Sequence, residues 1–253
     1  MKVTIITVTY NSETYLNQCI DSVISQDYKD IEYILIDGAS LDNTINIINQ
    51  YKDKIYKWVS DSDNGIYDAI NKGIRLATGD IIGILNSDDF FADNNVISRV
   101  VQTFNGSSAL KAVYADVNFV DKFDSERVIR YYSSRRFQPW MFKFGFQPAH
   151  PSFYIRKEVF DQYGVYRTDL MIAGDFELLM RFLLRYKIKY NYIEDIWVKM
   201  RIGGASTSGL KSVFRVNNEI LTACKANHIY TNKIMIYSKY LIKWWGFMFK
   251  KIS

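Results

Sequence analysis

The sequence predicts an α/β fold with a mostly parallel central sheet flanked by helices. Three observations carry that expectation. Short β-like runs alternate with helical patterns over the first hundred residues. The runs are apolar almost throughout, which suits strands buried on both faces. Polar clusters follow the runs directly, at the strand ends where such sheets bind ligands.

The elements follow in order. Residues 3–8 form the first strand, Val-Thr-Ile-Ile-Thr-Val, and a helical pattern spans 13–25. Strand 33–36 leads to helix 42–51, strand 56–59 to helix 66–77, and strand 81–85 to helix 93–104. Beyond Lys111 the rhythm changes, with strands over 112–120 and 127–132. An irregular stretch over 135–151 then holds all three prolines. A helix over 175–186 places Leu178, Leu179, Phe182 and Leu183 on one face. Residues 188–197 read as a further strand, and Gly203-Gly204-Ala205-Ser206 separates it from the final helices. No repeat or low-complexity tract interrupts the chain.

Composition narrows the class. The 253 residues suit one domain with an appendage or two small ones, and 48% apolar content is enough for a sizeable core. Cys19 and Cys224 lie far apart and form neither metal spacing nor a disulfide framework, as in a reducing compartment. Residues 3–8 are too short and β-branched for a secretory leader, and no apolar run is long enough for a membrane span. The net charge of +5 is uneven: residues 220–253 hold six lysines and no acid, which predicts an anionic partner there.

The chemistry-bearing residues sit at the strand ends. Asn86-Ser87-Asp88-Asp89 closes the apolar run 81–85. Two adjacent carboxylates at such a point suit Mg²⁺ or Mn²⁺, which takes one or two protein carboxylates plus substrate phosphates. A helix cap before residue 93 is the bland reading. Asp37-Gly38-Ala39-Ser40 fits either a ribose or base contact or a turn into the next helix. In Asp63-Asn64-Gly65-Ile66-Tyr67-Asp68, continuing to Asn71-Lys72-Gly73, Lys72 could face phosphate or pair with Asp68 on the helix surface. Gly73 in mid-helix signals close approach of a backbone or ligand.

With Thr9-Tyr10-Asn11, these motifs resemble the family 2 glycosyltransferases, inverting enzymes of the GT-A fold, and in particular those of bacterial capsule, exopolysaccharide and lipopolysaccharide synthesis. The likeness is dense over about the first ninety residues and returns at Asp175-Phe176-Glu177 and at Gly203-Gly204-Ala205-Ser206. It implies a nucleotide-sugar-binding half over 1–110, an acceptor-binding and catalytic-base half over 111–210, and C-terminal helices over 211–253. It further implies that Thr9 and Tyr10 flank the base, Asp37 hydrogen-bonds it, and Asp63 and Lys72 line the nucleotide pocket. Asp88 would lie near ribose and metal, Asp89 would bind the metal, and Asp175 would be the catalytic base. The donor would be a UDP-sugar and the acceptor a lipid-linked saccharide. Two departures stand out: Asn86 and Gly174 occupy positions where many relatives carry an acid. On a helix Asp175 and Glu177 point to different sides, so only one of them can face the sugar. His150 is a weaker candidate for contact with acceptor or diphosphate. Arg135, Arg136 and Trp140 fit an acceptor grip or a solvated basic loop.

Residues 233–251 read as an amphipathic helix. Lys233, Lys239, Lys243, Lys250 and Lys251 gather on one side, with Trp244 and Trp245 among the apolar remainder. That pattern predicts a peripheral helix on anionic lipid, and the family resemblance implies that the lipid is the inner face of the bacterial cytoplasmic membrane. Packing on the catalytic domain is the alternative. A catalytically weak scaffold of a polysaccharide assembly is the alternative function. Sugar nucleotidyltransferases and dinucleotide dehydrogenases are disfavoured because Thr9-Tyr10-Asn11-Ser12-Glu13 lacks their glycine-rich loops. Nucleic acid is not an expected partner, since no recognition motif appears.

Overall fold

In the computed structural model, which describes residues 1–203 and 209–249, the first half is the expected wound sheet. Strands β1 (Val3–Thr9), β2 (Ile31–Asp37), β3 (Lys57–Ser60) and β4 (Ile81–Ile84) run parallel in the order β3-β2-β1-β4. Helices α1 (Leu16–Ile24), α2 (Thr44–Gln50) and α3 (Ile66–Leu76) make the crossovers. Side chains alternate across β1: Val3 and Ile5 enter a core with α1, α2 and α4 (Val96–Asn105), while Ile6 and Val8 enter another with α3 and α6 (Gly174–Met180). Both faces of β1 are covered, which explains its continuous apolar run.

The second half extends the same sheet. Beyond β4 come β8 (Tyr154–Arg156), β6 (Ala112–Val120), β9 (Tyr190–Arg201) and β5 (Phe90–Phe91), with β7 (Val128–Tyr132) also paired to β6. β4 with β8 and β8 with β6 are antiparallel, while β6 with β9 is parallel. The short strands β5 and β8 were not predicted from sequence, because runs of two and three residues carry no period, and the seven-residue helix α5 (Lys157–Tyr163) was not predicted either. Helix 175–186 is α-helical only to Met180 and continues as a π turn over Arg181–Arg185. The strand predicted to end at 197 runs on to Arg201, which brings that side chain to the ligand rim. Gly204, Ala205 and Ser206 lie outside the described residues.

Helices α7 (Gly209–Ala226) and α8 (Lys233–Phe249) close the chain. Ile220, Ala223 and Cys224 of α7 and Ile236 of α8 join the core shared by α3 and α6. Thr231 Oγ1 donates to Lys143 O at 2.5 Å, and Asn217 Nδ2 to Tyr240 Oη at 3.1 Å, so α8 is fastened to the body. The sequence placed Lys239 on a cationic outer face. The structure corrects this: Lys239 is only 5% exposed, whereas Ile234 is 83% and Leu241 70% exposed. Lys250 and Lys251, part of the predicted cationic face, lie outside the described residues. Both cysteines are free and buried.

The unusual Gly73 has a packing cause. A Cβ there would lie 2.5 Å from Ile6 Cγ2, so glycine lets α3 settle onto β1. Gly73→Ala is expected to lower stability by about 1–3 kcal/mol, read by urea denaturation, and the additional change Ile6→Ala should leave a smaller penalty for the alanine.

Candidate active site

The carboxyl ends of β1 and β4 open into a cleft of about 1200 Å³, and the segments around His150, Asp175 and Arg201 form its other walls. Hydrogen bonds between loops shape the near rim. Asn11 has positive φ; its N–H donates to Ser40 Oγ at 2.8 Å and its Oδ1 accepts Leu41 N–H at 2.9 Å. Ser12 Oγ lies 2.9 Å from Ser87 Oγ, joining the loop after β1 to the one after β4.

The residues predicted for the nucleotide pocket divide. Tyr10 stands in the cleft with 61% of its surface exposed, a free ring face for stacking. Thr9 lines the cleft, and its Oγ1 is buried without a hydrogen-bond partner. Asp63 also lines it, with one oxygen accepting Gly65 N–H at 2.8 Å and the other close to Gly38, where a Cβ would lie 2.6 Å away. Asp37 and Lys72 are absent from the lining. Asp37 is buried and takes three donors, Ser40 N–H at 3.0 Å, Ser40 Oγ at 2.5 Å and Ser60 Oγ at 2.7 Å. Lys72 Nζ donates to Ser62 O at 2.7 Å, and so braces the loop carrying Asp63 without pairing with Asp68. Both residues support the pocket from behind its wall.

Asp88 and Asp89 lie together in the cleft. Burial, reinforced by the adjacent charge of Asp88, holds the Asp89 carboxyl well above the ordinary range, and burial raises Asp88 as well. The Asn86 amide donates to Asp89 Oδ2 at a long 3.4 Å. Two hard, poorly compensated carboxylates facing a cleft fit Mg²⁺ or Mn²⁺. Among the described residues no cluster of three or more metal-type side chains forms, so the ligand set would be completed by substrate oxygens.

Arg201 is the main residue that the sequence reading missed. Its guanidinium donates to Asp88 O at 2.6 Å and to Gln18 Oε1, and lies over the Tyr15 ring at 4.5 Å. Burial lowers its pKa, against the opposing pull of Tyr15, Asp89 and Asp88. No spacing rule links it to Asp88, 113 positions earlier. The only signal available was a lone arginine just before the Gly203-Gly204 break, four residues past the predicted strand end.

Asp175 occupies the first turn of α6 on the cleft wall. His150 Nε2 and Tyr67 Oη each lie 3.5 Å from Asp175 Oδ2. His150 is set by its loop: Ser134 Oγ accepts Ala149 N–H at 2.9 Å, and Tyr132 Oη donates to Gln147 O at 2.7 Å. Glu177 is turned away and buried, accepting from Arg181 Nε at 3.0 Å and Asn227 Nδ2 at 2.9 Å. Of the two acids, Asp175 lines the cleft and Glu177, the runner-up, does not. Gly174 also has a cause: a Cβ there would meet the Tyr67 ring at 2.6 Å, so the acid common in relatives has no room. Arg135, Arg136 and Trp140 are exposed and off the cleft lining, with Arg135 paired to Glu194 at 2.8 Å.

Among the described residues, four buried side-chain polar atoms lack a hydrogen bond: Thr9 Oγ1, Tyr15 Oη, Gln147 Oε1 and Arg99 Nε. Arg99 Nε is compensated by the Asp195 carboxylate at 2.7 Å. The other three all belong to residues lining this one cleft. Buried polar groups are almost always satisfied, and these three offer hydrogen-bonding capacity to polar ligand or water in the cleft.

The family model for Glycosyl transferase family 2 matches residues 4–164. A PGL/p-HBAD biosynthesis glycosyltransferase of Mycobacterium bovis is 28% identical over 187 residues, 70% of this chain and 68% of the relative. Among solved structures, S. aureus TarS 1-349 in complex with UDP-GlcNAc superposes with TM-score 0.69 at 17% identity, covering 88% of this chain and 66% of that one. The mannosyltransferase PcManGT from Pyrobaculum calidifontis, in complex with GDP-Man and Mn²⁺, gives 0.67 at 16% identity, covering 92% and 66%. The chain spans only 39% of the longer TarS chain. These likenesses establish a fold like that of the GT-A glycosyltransferases.

Burial of Asp89 has a consequence for stability. A carboxyl raised above its ordinary 3.8 holds its proton to higher pH when folded than when unfolded. The folded state therefore binds more protons above pH 3.8, and stability falls as pH rises through that window. Metal-free Asp89→Asn should melt above the parent at pH 7 and close to it below pH 3.8, by calorimetry. Added Mn²⁺ should raise the melting temperature of the parent and not that of the variant.

Proposed function

The chain belongs to glycosyl transferase family 2 and is a glycosyltransferase, and from that premise we propose that it moves one sugar, with inversion, from a UDP-sugar to a lipid-linked saccharide acceptor in bacterial surface polysaccharide synthesis. The observation that carries the reading is the single cleft holding the unpartnered Thr9 hydroxyl and the open Tyr10 ring, the Asp88–Asp89 pair, and Asp175 beside His150. Asp88 and Asp89 would hold Mg²⁺ or Mn²⁺, which when bound stabilises the negative charge of a departing diphosphate. The Mn²⁺ complex of the mannosyltransferase supports that assignment. UDP is favoured by the TarS complexes with UDP and UDP-GlcNAc, with GDP the competitor suggested by the mannosyltransferase.

The roles of the residues follow from their chemistry. Tyr10 offers its face to the base and Thr9 a hydrogen bond to it. The Arg201 guanidinium steadies the main chain of Asp88 and adds positive charge at the diphosphate end of the cleft. Asp175 accepts the proton of the acceptor hydroxyl as that oxygen attacks the anomeric carbon opposite the leaving diphosphate. A single displacement inverts the centre, so an α-linked donor gives a β-linked product. Tyr67 and His150 hold the carboxylate in place.

The acceptor is proposed to lie at the inner face of the bacterial cytoplasmic membrane. No described helix is long and apolar enough to cross a membrane. Ile234 and Leu241 are seven residues apart, nearly two helical turns, so they share the outer face of α8. They support contact with a lipid surface.

Calorimetric titration with UDP, GDP, CMP and dTDP, each with and without Mn²⁺, tests the donor. We expect manganese-dependent binding of UDP, lost in Asp89→Ala. Binding of none of the four by folded protein would overturn the reading. Asp175→Asn should keep UDP binding and lose about 10²–10⁴-fold in turnover. Replacing Ile234 and Leu241 together by glutamate should release the protein from phosphatidylglycerol vesicles without changing its UDP affinity, and unchanged sedimentation would remove the membrane contact.

A further inference from the structure

One wall of the cleft is carried by adjacent strands in the order β5-β9-β6-β7. Across them Phe91 pairs with Val198, Val198 with Val117, and Val117 with Tyr132. Phe119 pairs with Arg130, so these two share a face with Val117 and Tyr132. Phe119, Arg130 and Tyr132 all line the cleft. Asp89 stands two residues before Phe91, whereas β7 lies three strand spacings from β5, about 14 Å away. The main chain of Arg130 is therefore well apart from the aspartates that would hold the donor diphosphate.

Two arginines line the cleft, and they differ in what they hold. Arg201 is engaged by Asp88 O and Gln18 Oε1. Arg130 is exposed, and among the described residues its guanidinium has neither a hydrogen bond nor an ion pair. It lies instead 3.9 Å from the centroid of the Phe119 ring and 5.9 Å from that of Tyr132. Stacking uses the flat face of the group and leaves its N–H edge for a carboxylate or phosphate, which that fork fits in bidentate fashion. The acids of the same strands and their connection are committed elsewhere: Glu126 faces Lys199 at 3.3 Å, and Asp116 accepts from Tyr131 and Tyr192 Oη and from Ser134 N–H. Gln147 adjoins this wall, since its main-chain oxygen accepts Tyr132 Oη at 2.7 Å. Its Oε1 is one of the unpartnered buried atoms, and such an oxygen accepts a hydroxyl. Three residues on stands His150, beside Asp175. The corner thus runs from the proposed base to Arg130, where the substrate that gives up its hydroxyl proton would lie.

We infer that Arg130 and Gln147 form an acceptor subsite for an acidic saccharide, with the guanidinium on its oxyanion and the glutamine on one of its hydroxyls. This rests on the sugar-transfer reading of the cleft. It deepens that reading by giving the acceptor a negative charge and by making β7 part of the substrate site. The carboxylate of a uronic acid and the phosphate of a sugar phosphate both supply the oxyanion.

The test is ligand-observed NMR titration of the full chain with glucuronate, glucose 1-phosphate and glucose. Each probe is added with and without saturating UDP and Mn²⁺, because a filled donor site keeps the probes out of it. The parent should bind the acidic probes at least about tenfold more tightly than glucose. Arg130→Met should bring them down to the level of glucose, and Arg130→Lys, which lacks the planar fork, should restore only part of the difference. Gln147→Leu should weaken all three probes, glucose included. Arg135→Met removes the same charge off the cleft lining and should bind every probe as the parent does. UDP affinity and melting temperature should match the parent in each variant, which separates a lost subsite from a lost fold. Tighter glucuronate would assign the oxyanion as a carboxylate, and tighter glucose 1-phosphate as a phosphate. Parent-like binding of the acidic probes by Arg130→Met, equal binding of acidic probes and glucose by the parent, or loss of UDP affinity in Arg130→Met would overturn the subsite. A parent that fails to bind UDP yet shows Arg130-dependent binding of the acidic probes would instead remove the donor assignment and leave the subsite standing.

Discussion

The placement of Asp175 depends on Tyr67. This side chain leaves α3, in the parallel half of the sheet, and donates to Ile172 O at 2.7 Å. Its ring packs on Gly174 and stacks on Tyr166 with centroids 5.5 Å apart. One turn along, Asn71 exchanges two hydrogen bonds with the main chain of Tyr166, at 2.8 and 3.0 Å. The segment that begins α6 is thereby moulded onto α3, and the carboxylate faces the same cleft as the strand ends. Glu219 of α7 secures it from the other side, accepting Ile172 and Ala173 N–H at 2.8 and 2.9 Å.

Buried polar groups fall into two populations. Glu177, Arg181 and Asn227 satisfy one another and the Tyr163–Val165 carbonyls, and Glu32 takes Thr4, Thr78 and Lys2. These are closed networks of the kind that fix a core. Thr9, Tyr15, Gln147 and the aspartate pair are open, with capacity facing the cleft. Asp37 belongs to the closed class although it sits at a strand end. The contrast separates support from site more sharply than residue type does.

The C-terminal helix has two faces in different surroundings. Ile236 and Lys239 turn inward, to the core and the cleft, while Ile234 and Leu241 turn outward.

By itself the sequence determined the wound sheet and the rim. Apolar runs as short as those of β1 and β4 must be buried on both faces, and parallel order then sends the polar residues after them to one edge; Tyr10, Asp88 and Asp89 were legible for that reason. Tertiary structure alone decided what depends on contacts between distant residues. Asp37 and Lys72 are engaged by Ser60 and Ser62, contacts that no local pattern announces. Arg201 reached Asp88 because β9 ran four residues past its predicted end, and Glu177 was withdrawn by Arg181 and Asn227. Lys239 looked like surface charge because helical periodicity describes only the relative directions of side chains. Which direction is inward was settled by the packing of α8 on Gly145 and α7.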